Sequence, residues 1–481
     1  MIGPTISRRH QLCFWAAMSV VLLLGLTLRV GGSTGELWMD EIWSLAIATH
    51  LKSVSQVFTI HHENNHYLIS LWMLVCGMRR AWWVYRVPSI LAGMGAALVA
   101  IRIGWRQSRA TAFVAGLLMS LSYLAVFYSS EARGYAIACC MTLVGYDCME
   151  AYLRDRTWRN SAGYCLAVVV GTLGSLTYVS VAAALGVWSM VVMLWQERTR
   201  RSALQFVVLH AVPVALMVAL WLVDVRKLTS APAPRVGIWR VLCETISYTL
   251  GLAGSFRVGS ALVVIMFCSI AWQIGTMVRR ADMRWTFFLT GLIIAPVVLI
   301  AWTGRQAIYP RYFLVNVYLL YLLATLAIGK LWDAHARPTR WLITGALAAW
   351  TLGNLLLSAQ LWEVGRGHYK DALEFISGNT RGGTARIGST EDFRTGVLVW
   401  YYARYLPVAE RPEVVHVNSL AQVRPEWLLS TISPYEMPEL PLRMTIAPGL
   451  QYVLVKQFPS VQLSGFTAGV YRRADLSDDG Q

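Results

Sequence analysis

The sequence predicts a mainly α fold: a polytopic membrane helix bundle with a small C-terminal α/β domain outside the membrane. Three observations predict it. The chain has 481 residues, 56% hydrophobic and only 14% charged, against roughly 25% charged in soluble domains. Apolar runs near the ~20 residues that cross a bilayer recur along it. From Leu361 onward these runs stop and the composition becomes mixed. The reading therefore divides the chain into a membrane domain, residues 1–359, and a soluble domain, residues 360–481.

The net charge of +16 would suggest a nucleic-acid partner in a soluble chain. Here the loops account for it, and no nucleic-acid partner is expected. The eight cysteines are scattered, none follows Cys268, and there is no CxxC spacing. A disulfide framework is not expected from them.

The N-terminal Ser7-Arg8-Arg9-His10 is basic, which assigns it to the cytoplasm. Leu12–Val30 is the first span, too long for a removed signal peptide. Gly31-Gly32-Ser33-Thr34-Gly35 ends it and opens a long outer loop. Within that loop Tyr67–Met78 is apolar but only about a dozen residues long, so it reads as a juxtamembrane helix rather than a span. Charge supports this. With Tyr67–Met78 not crossing, Arg102/Arg106/Arg109, Arg154/Arg156/Arg159, Arg198/Arg200/Arg201, Arg279/Arg280/Arg284 and Lys330/Arg337/Arg340 all fall on the cytoplasmic side. The spans after the first are then 87–103, 111–128, 134–153, 162–178, 179–195, 203–223, 259–278, 285–302, 312–328 and 341–358, about eleven in all. An odd number places the C-terminal domain outside.

In that domain 370–376 reads as an amphipathic helix and 397–406 as another. Short strands are expected at 385–388, 414–417, 452–455 and 469–471.

Chemistry is sought in the polar groups of the outer loops. The first is Asp40-Glu41 within Glu36-Leu37-Trp38-Met39-Asp40-Glu41-Ile42-Trp43. The second is His61-His62-Glu63-Asn64-Asn65-His66, and the third is Tyr128-Ser129-Ser130-Glu131-Ala132-Arg133-Gly134-Tyr135. The fourth runs from Gly304 and Arg305 to Arg311-Tyr312. Acids beside a bilayer are costly unless something uses them. Arginines fork onto phosphates, and a carboxylate can take a hydroxyl proton or hold a divalent cation. Structural readings stand beside these. Asp40-Glu41 can cap a helix starting at Ile42. The histidines can form a polar interfacial loop, their spacing fitting no standard zinc motif. Glu131 and Arg133 can pair at the surface. Arg305 and Arg311 can contact lipid headgroups.

These groups, in this order, carry a family pattern. Trp38-Met39-Asp40-Glu41 matches W-x-D-E after a first span. Asn65-His66-Tyr67-Leu68 stands where a His-Pro-Pro-Leu-Tyr motif is usual, without its prolines. Arg86-Val87-Pro88-Ser89 opens the next span. Glu131-Ala132-Arg133-Gly134-Tyr135 follows the third, and Arg311-Tyr312 comes late in the bundle. Over residues 12–330 the chain resembles the bacterial protein-mannosyltransferase-like, family-39 membrane glycosyltransferases of the GT-C superfamily. Relatives of that family include the lipid A aminoarabinose transferases. The resemblance implies a GT-C-type bundle in a bacterial inner membrane. It implies transfer of a sugar from a polyprenyl-phosphate donor to a protein, lipid or glycan acceptor. It also implies Asp40 as general base or metal-contacting acid with Glu41 beside it, and Glu131 as a second acid near the donor. Arg133, Arg311 and Arg86 would hold phosphate. His66, Tyr135 and Tyr312 would join them in binding substrate. The resemblance implies no nucleotide cofactor, and leaves a divalent cation open. A ligase or polymerase of polyprenyl-linked glycans is one alternative. A transporter or flippase is the other, although neither repeated halves nor broken midplane helices are evident.

Overall fold

The computed structural model describes residues 8–229, 236–254, 256–303, 308–433, 435 and 439–477. Residues 304–307, with Arg305 of the fourth polar group, lie outside the described residues. The helices are α1 Arg8–Gly32, α2 Met39–His50, α3 Tyr67–Cys76, α4 Trp83–Trp105, α5 Arg109–Leu121, α6 Tyr123–Ser129, α7 Tyr135–Asp155, α8 Trp158–Gly174 and α9 Val179–Met190. They continue as α10 Arg200–Val223, α11 Ile238–Thr249, α12 Phe256–Arg279, α13 Arg284–Leu289, α14 Ala295–Thr303, α15 Leu314–Ala334, α16 Arg337–Val364, α17 Tyr369–Asn379 and α18 Asp392–Tyr402. The strands are β1 Arg386–Ser389, β2 Glu413–Val415, β3 Trp427–Ile432, β4 Arg443–Ala447, β5 Leu450–Phe458 and β6 Thr467–Arg473. The chain divides into two compact units.

The first unit holds the described residues of Met1–Ser33, Lys52–Trp72 and Trp83–Ala359. Each of the eleven expected spans coincides with a helix in it. Among the described residues nine helices are long and apolar enough to cross a membrane. The pair α5–α6, bent by 53°, makes a tenth. The remaining expected span, 162–178, is α8, which has 17 residues. The protein is a multi-pass membrane protein. The helix α3 has ten residues. At 1.5 Å per residue it covers about half of a ~30 Å hydrocarbon core. It cannot cross, as the distribution of basic residues required.

The bend between α5 and α6 has a physical cause and a remedy. A break leaves carbonyls of one helix and amides of the next without helical partners. The Arg29 guanidinium of α1, fully buried, donates to the carbonyls of Met119 at 2.9 Å and Ser120 at 2.7 Å, at the end of α5. On the other side of the break the Asn354 side chain accepts from the Tyr123 backbone N–H at 2.6 Å. Ser122 bonds the Tyr321 hydroxyl at 2.7 Å. The joint aims α6, and so the turn that follows it at 130–134.

In the second unit, Thr34–Leu51 and Met73–Trp82 join Gln360–Gln481. Its six strands form one mixed sheet in the order β2-β1-β3-β6-β5-β4. The strand β1 runs parallel to β2 and β3, and the other pairs are antiparallel. The sequence reading had no strand at β3 or β4. β3 is almost wholly buried, so it lacks the alternation that marks a half-exposed strand. β4 is an edge strand paired only with β5. Segment 34–51 is integral to this unit. Its α2 packs on α18, Trp43 meets Phe393 edge-on at 4.8 Å, and the Tyr402 hydroxyl donates to the Leu37 carbonyl at 2.7 Å. Segment 73–82 is tied in by Trp82, whose Nε1 donates to the Tyr405 hydroxyl at 2.7 Å.

Candidate functional site

In the first unit the polar residues gather where α7 begins. Glu131, Arg133 and His66 are 0%, 2% and 6% exposed, so the surface-pair reading of Glu131 and Arg133 is wrong. Burying a charge costs several kcal/mol unless it is bonded, and this turn is built to bond it. Arg133 donates through Nη1 to the Asn64 side-chain oxygen and through Nη2 to the Tyr135 hydroxyl at 3.2 Å. Its guanidinium lies 5.5 Å from the Tyr135 ring centre. Ser89 of α4 donates to the Arg133 carbonyl at 2.9 Å. Gly134 makes the turn possible. A Cβ there would stand 1.7 Å from the Gly174 carbonyl oxygen, so only glycine lets the end of α8 approach this closely.

The same Gly174 carbonyl meets His66 Nδ1 at 3.1 Å, and the His66 and Tyr135 rings are 4.8 Å apart, edge to face. A carbonyl only accepts, so a neutral His66 carries its proton on Nδ1 and presents Nε2 as an acceptor. Nε2 is buried and has no hydrogen-bond partner among the described residues. Burial, and then the Arg133 and Arg311 charges, hold His66 well below the usual imidazole range. The ring is therefore neutral at physiological pH, and both arginines reach it electrostatically.

Arg311 and Tyr312 belong to the 3-10 turn Pro310–Phe313 that opens α15. The Arg311 guanidinium covers the Tyr309 ring at 4.6 Å and the Tyr312 ring at 5.7 Å. Tyr312 interacts electrostatically with Tyr135 and Glu63. His66, Arg133, Tyr135, Arg311 and Tyr312 are thus brought together. Arg86 is fully buried and donates to the Ser33 carbonyl at 2.8 Å, which ties α4 to the end of α1.

The two acids of Trp38-Met39-Asp40-Glu41 lie in the second unit. They differ in setting. Glu41 is fully buried, and its carboxylate accepts from the Trp38 backbone N–H at 3.1 Å, the side-chain half of a capping box on α2. Helix α2 begins at Met39 rather than Ile42. Asp40 is half-buried on the same first turn, and its carbonyl accepts from Ser44 Oγ at 2.8 Å.

A third acid, which sequence reasoning passed over, is Glu36. It is 7% exposed and accepts from the backbone N–H of Tyr369 at 2.6 Å and of Lys370 at 3.0 Å, at the start of α17. Burial pushes its carboxyl up to about 8, against those two hydrogen bonds. Among the described residues no group of three or more His, Cys, Asp or Glu is arranged to hold a metal ion.

Sequence reasoning took Asn64 only as part of a polar loop and Ser89 only as part of the Arg86–Ser89 motif, and missed Arg29 and Asn354. Asn64 sat inside a cluster already singled out. Arg29 and Asn354 are single polar residues in apolar spans, and an arginine near the outer end of the first span was the signal available for Arg29.

No protein-family profile matches the chain, and no curated protein matches it. Solved structures do. ArnT from Cupriavidus metallidurans in the apo state is 14% identical, over 96% of this chain and 97% of that one, with a TM-score of 0.51. The same protein bound to undecaprenyl phosphate is 13% identical over 97% and 98%, with a TM-score of 0.50. The apo oligosaccharyltransferase of Archaeoglobus fulgidus is 11% identical with a TM-score of 0.50, over 80% of this chain and 63% of that one. The chain thus spans under two thirds of the archaeal enzyme and nearly the whole of ArnT. What these likenesses show is the fold: a multi-pass membrane helix bundle with a small C-terminal sheet domain.

Proposed function

We propose that the protein is a membrane glycosyltransferase that moves a sugar from a polyprenyl-phosphate donor to an acceptor on the outer face of a bacterial inner membrane. The observation that carries this reading is the pair of arginines about His66, Arg133 buried and Arg311 partly buried. Arg133 and Arg311 both act on that ring, so two guanidinium charges meet where α7 and α15 begin. Such a place suits the phosphate of a lipid-linked sugar. ArnT, whose fold this chain shares, has been solved with undecaprenyl phosphate bound.

In the proposed reaction the acceptor displaces polyprenyl phosphate directly at the anomeric carbon. The acceptor oxygen forms the new glycosidic bond and gives up its proton. The bond from the anomeric carbon to the phosphate oxygen breaks, and its electron pair leaves with the phosphate. Arg133 and Arg311 stabilise the negative charge as it develops. Asp40 takes the acceptor proton, as the W-x-D-E pattern implies, while Glu41 is engaged as the α2 cap. His66 remains neutral and accepts a hydrogen bond from a sugar hydroxyl through Nε2. Glu131 is the second acid near the donor. No step passes through a metal.

The test is incubation of the purified protein with a polyprenyl-phosphate sugar and a lysate-derived acceptor fraction. The reading expects sugar to appear on the acceptor and free polyprenyl phosphate to be released in equal amount. Movement of the intact lipid-linked sugar between leaflets, with no bond cleaved, would instead indicate a flippase.

A further inference from the structure

The opposite end of the bundle holds a second polar site that the transfer reaction does not use. α7 is 21 residues long, so its C-terminal end lies about 30 Å from Arg133. There a cavity of about 340 Å³ opens between the ends of α4, α7, α13 and α15. Arg106, Arg154, Arg284 and Lys330 line it, with Glu150 as the one carboxylate of the lining.

Glu150 gathers the arginines, with Arg106 at 3.3 Å, Arg154 at 3.2 Å and Arg284 at 3.4 Å. Asp147 pairs with Arg106 at 2.7 Å and with Arg102 at 3.2 Å, and Asp282 pairs with Arg284 at 2.6 Å. Five cations thus meet three carboxylates, and Lys330 has no ion pair among the described residues. The lining also includes Tyr146, which is fully buried among Trp188, Phe287 and Phe288. Its hydroxyl lies beside the Arg284 guanidinium, which can only donate to it, so the phenol's own proton is given to no described residue. A buried O–H donor without an acceptor calls for one.

We propose that this cavity binds a phosphate group, that of an anionic phospholipid headgroup. Excess cationic charge supplies the attraction. Tyr146 and Lys330 supply donors not already committed, while the ion pairs hold the arginines in place around them. A basic pocket between membrane helices is a recognised setting for anionic headgroups. A lipid source is favoured over free phosphate by the surface beside the cavity. Trp105 and Leu331, adjacent in sequence to the lining cations Arg106 and Lys330, are 41% and 43% exposed and offer apolar cover for acyl chains.

The test uses the full-length protein in a zwitterionic detergent, with phosphatidylglycerol, phosphatidylcholine and inorganic phosphate as probes. Native mass spectrometry counts bound lipid, and the thermal midpoint reports its effect. Phosphatidylglycerol is expected to bind in preference to phosphatidylcholine and to raise the midpoint. Lys330→Gln should weaken that binding about tenfold, and Tyr146→Phe by about threefold, as expected for the loss of a charged and a neutral donor. Arg159→Gln removes an exposed charge outside the cavity and should leave binding unchanged. Phosphatidylglycerol binding indifferent to both Lys330→Gln and Tyr146→Phe overturns the site. Inorganic phosphate binding that is sensitive to Lys330→Gln, with no preference for phosphatidylglycerol, overturns the lipid source.

Discussion

The two ends of α7 use the same residue type in opposite ways. At the N-terminal end Arg133 is 2% exposed, and an amide oxygen, a phenol and an aromatic ring surround it. At the C-terminal end the side chains of Arg102 and Arg154 are 68% and 59% exposed and lean on Asp147 and Glu150. The exposed arginines cost little, and the positive-inside rule explains their presence. A buried arginine costs much more, so its retention points to use. Arg133 is enclosed by its partners, while Arg102 and Arg154 face solvent.

The comparison is broken most sharply at Arg133. Arg133→Lys keeps the charge and loses the planar fork. It is expected to lower the turnover of sugar transfer by about 100-fold, the scale of one lost charge-stabilising donor. Turnover within twofold of the parent would remove Arg133 from phosphate binding. Next comes Arg29→Met, which strips the end of α5 of its donors. Two carbonyls left bare inside the bundle should cost about 2–4 kcal/mol, read as a lowered thermal midpoint.

The third prediction concerns pH and the second unit. The Glu36 carboxyl is raised to about 8 when folded, so its protonated form is favoured in the fold. Its contribution is fully present below the ordinary carboxylate range and is lost as pH rises toward 8. The midpoint for unfolding of the second unit should therefore fall between pH 5 and pH 8, and Glu36→Gln should flatten that part of the profile. A slope unaltered in Glu36→Gln would show that other groups set it. Smallest is Arg154→Gln at the exposed end, expected to shift stability by no more than about 0.5 kcal/mol.

Hydropathy and charge made the bundle legible. A long apolar run has one low-cost conformation in lipid, and the basic residues separate the loops. The short α3 was readable for the same reason. In the second unit the helices and four strands were readable, while β3 was hidden because burial on both faces erases its alternation. The family pattern led to His66, Arg133, Tyr135, Arg311 and Tyr312, which the fold gathers from three separate stretches. Hidden were the residues whose value depends on a partner far along the chain. Arg29 matters because α5 breaks 91 residues later, and Glu36 because α17 begins 333 residues later. The acids of Trp38-Met39-Asp40-Glu41 were legible as a pair but not as two different roles. Full burial and the capping bond to the Trp38 N–H set Glu41 apart from the half-buried Asp40.

The most direct measurement is release of free polyprenyl phosphate from a polyprenyl-phosphate sugar, compared between the parent protein and Asp40→Asn. The account predicts release coupled to sugar transfer in the parent. In Asp40→Asn it predicts loss of both, with expression and thermal midpoint retained. Substantial turnover in Asp40→Asn, or no release by the parent with any lipid-linked sugar, would contradict it.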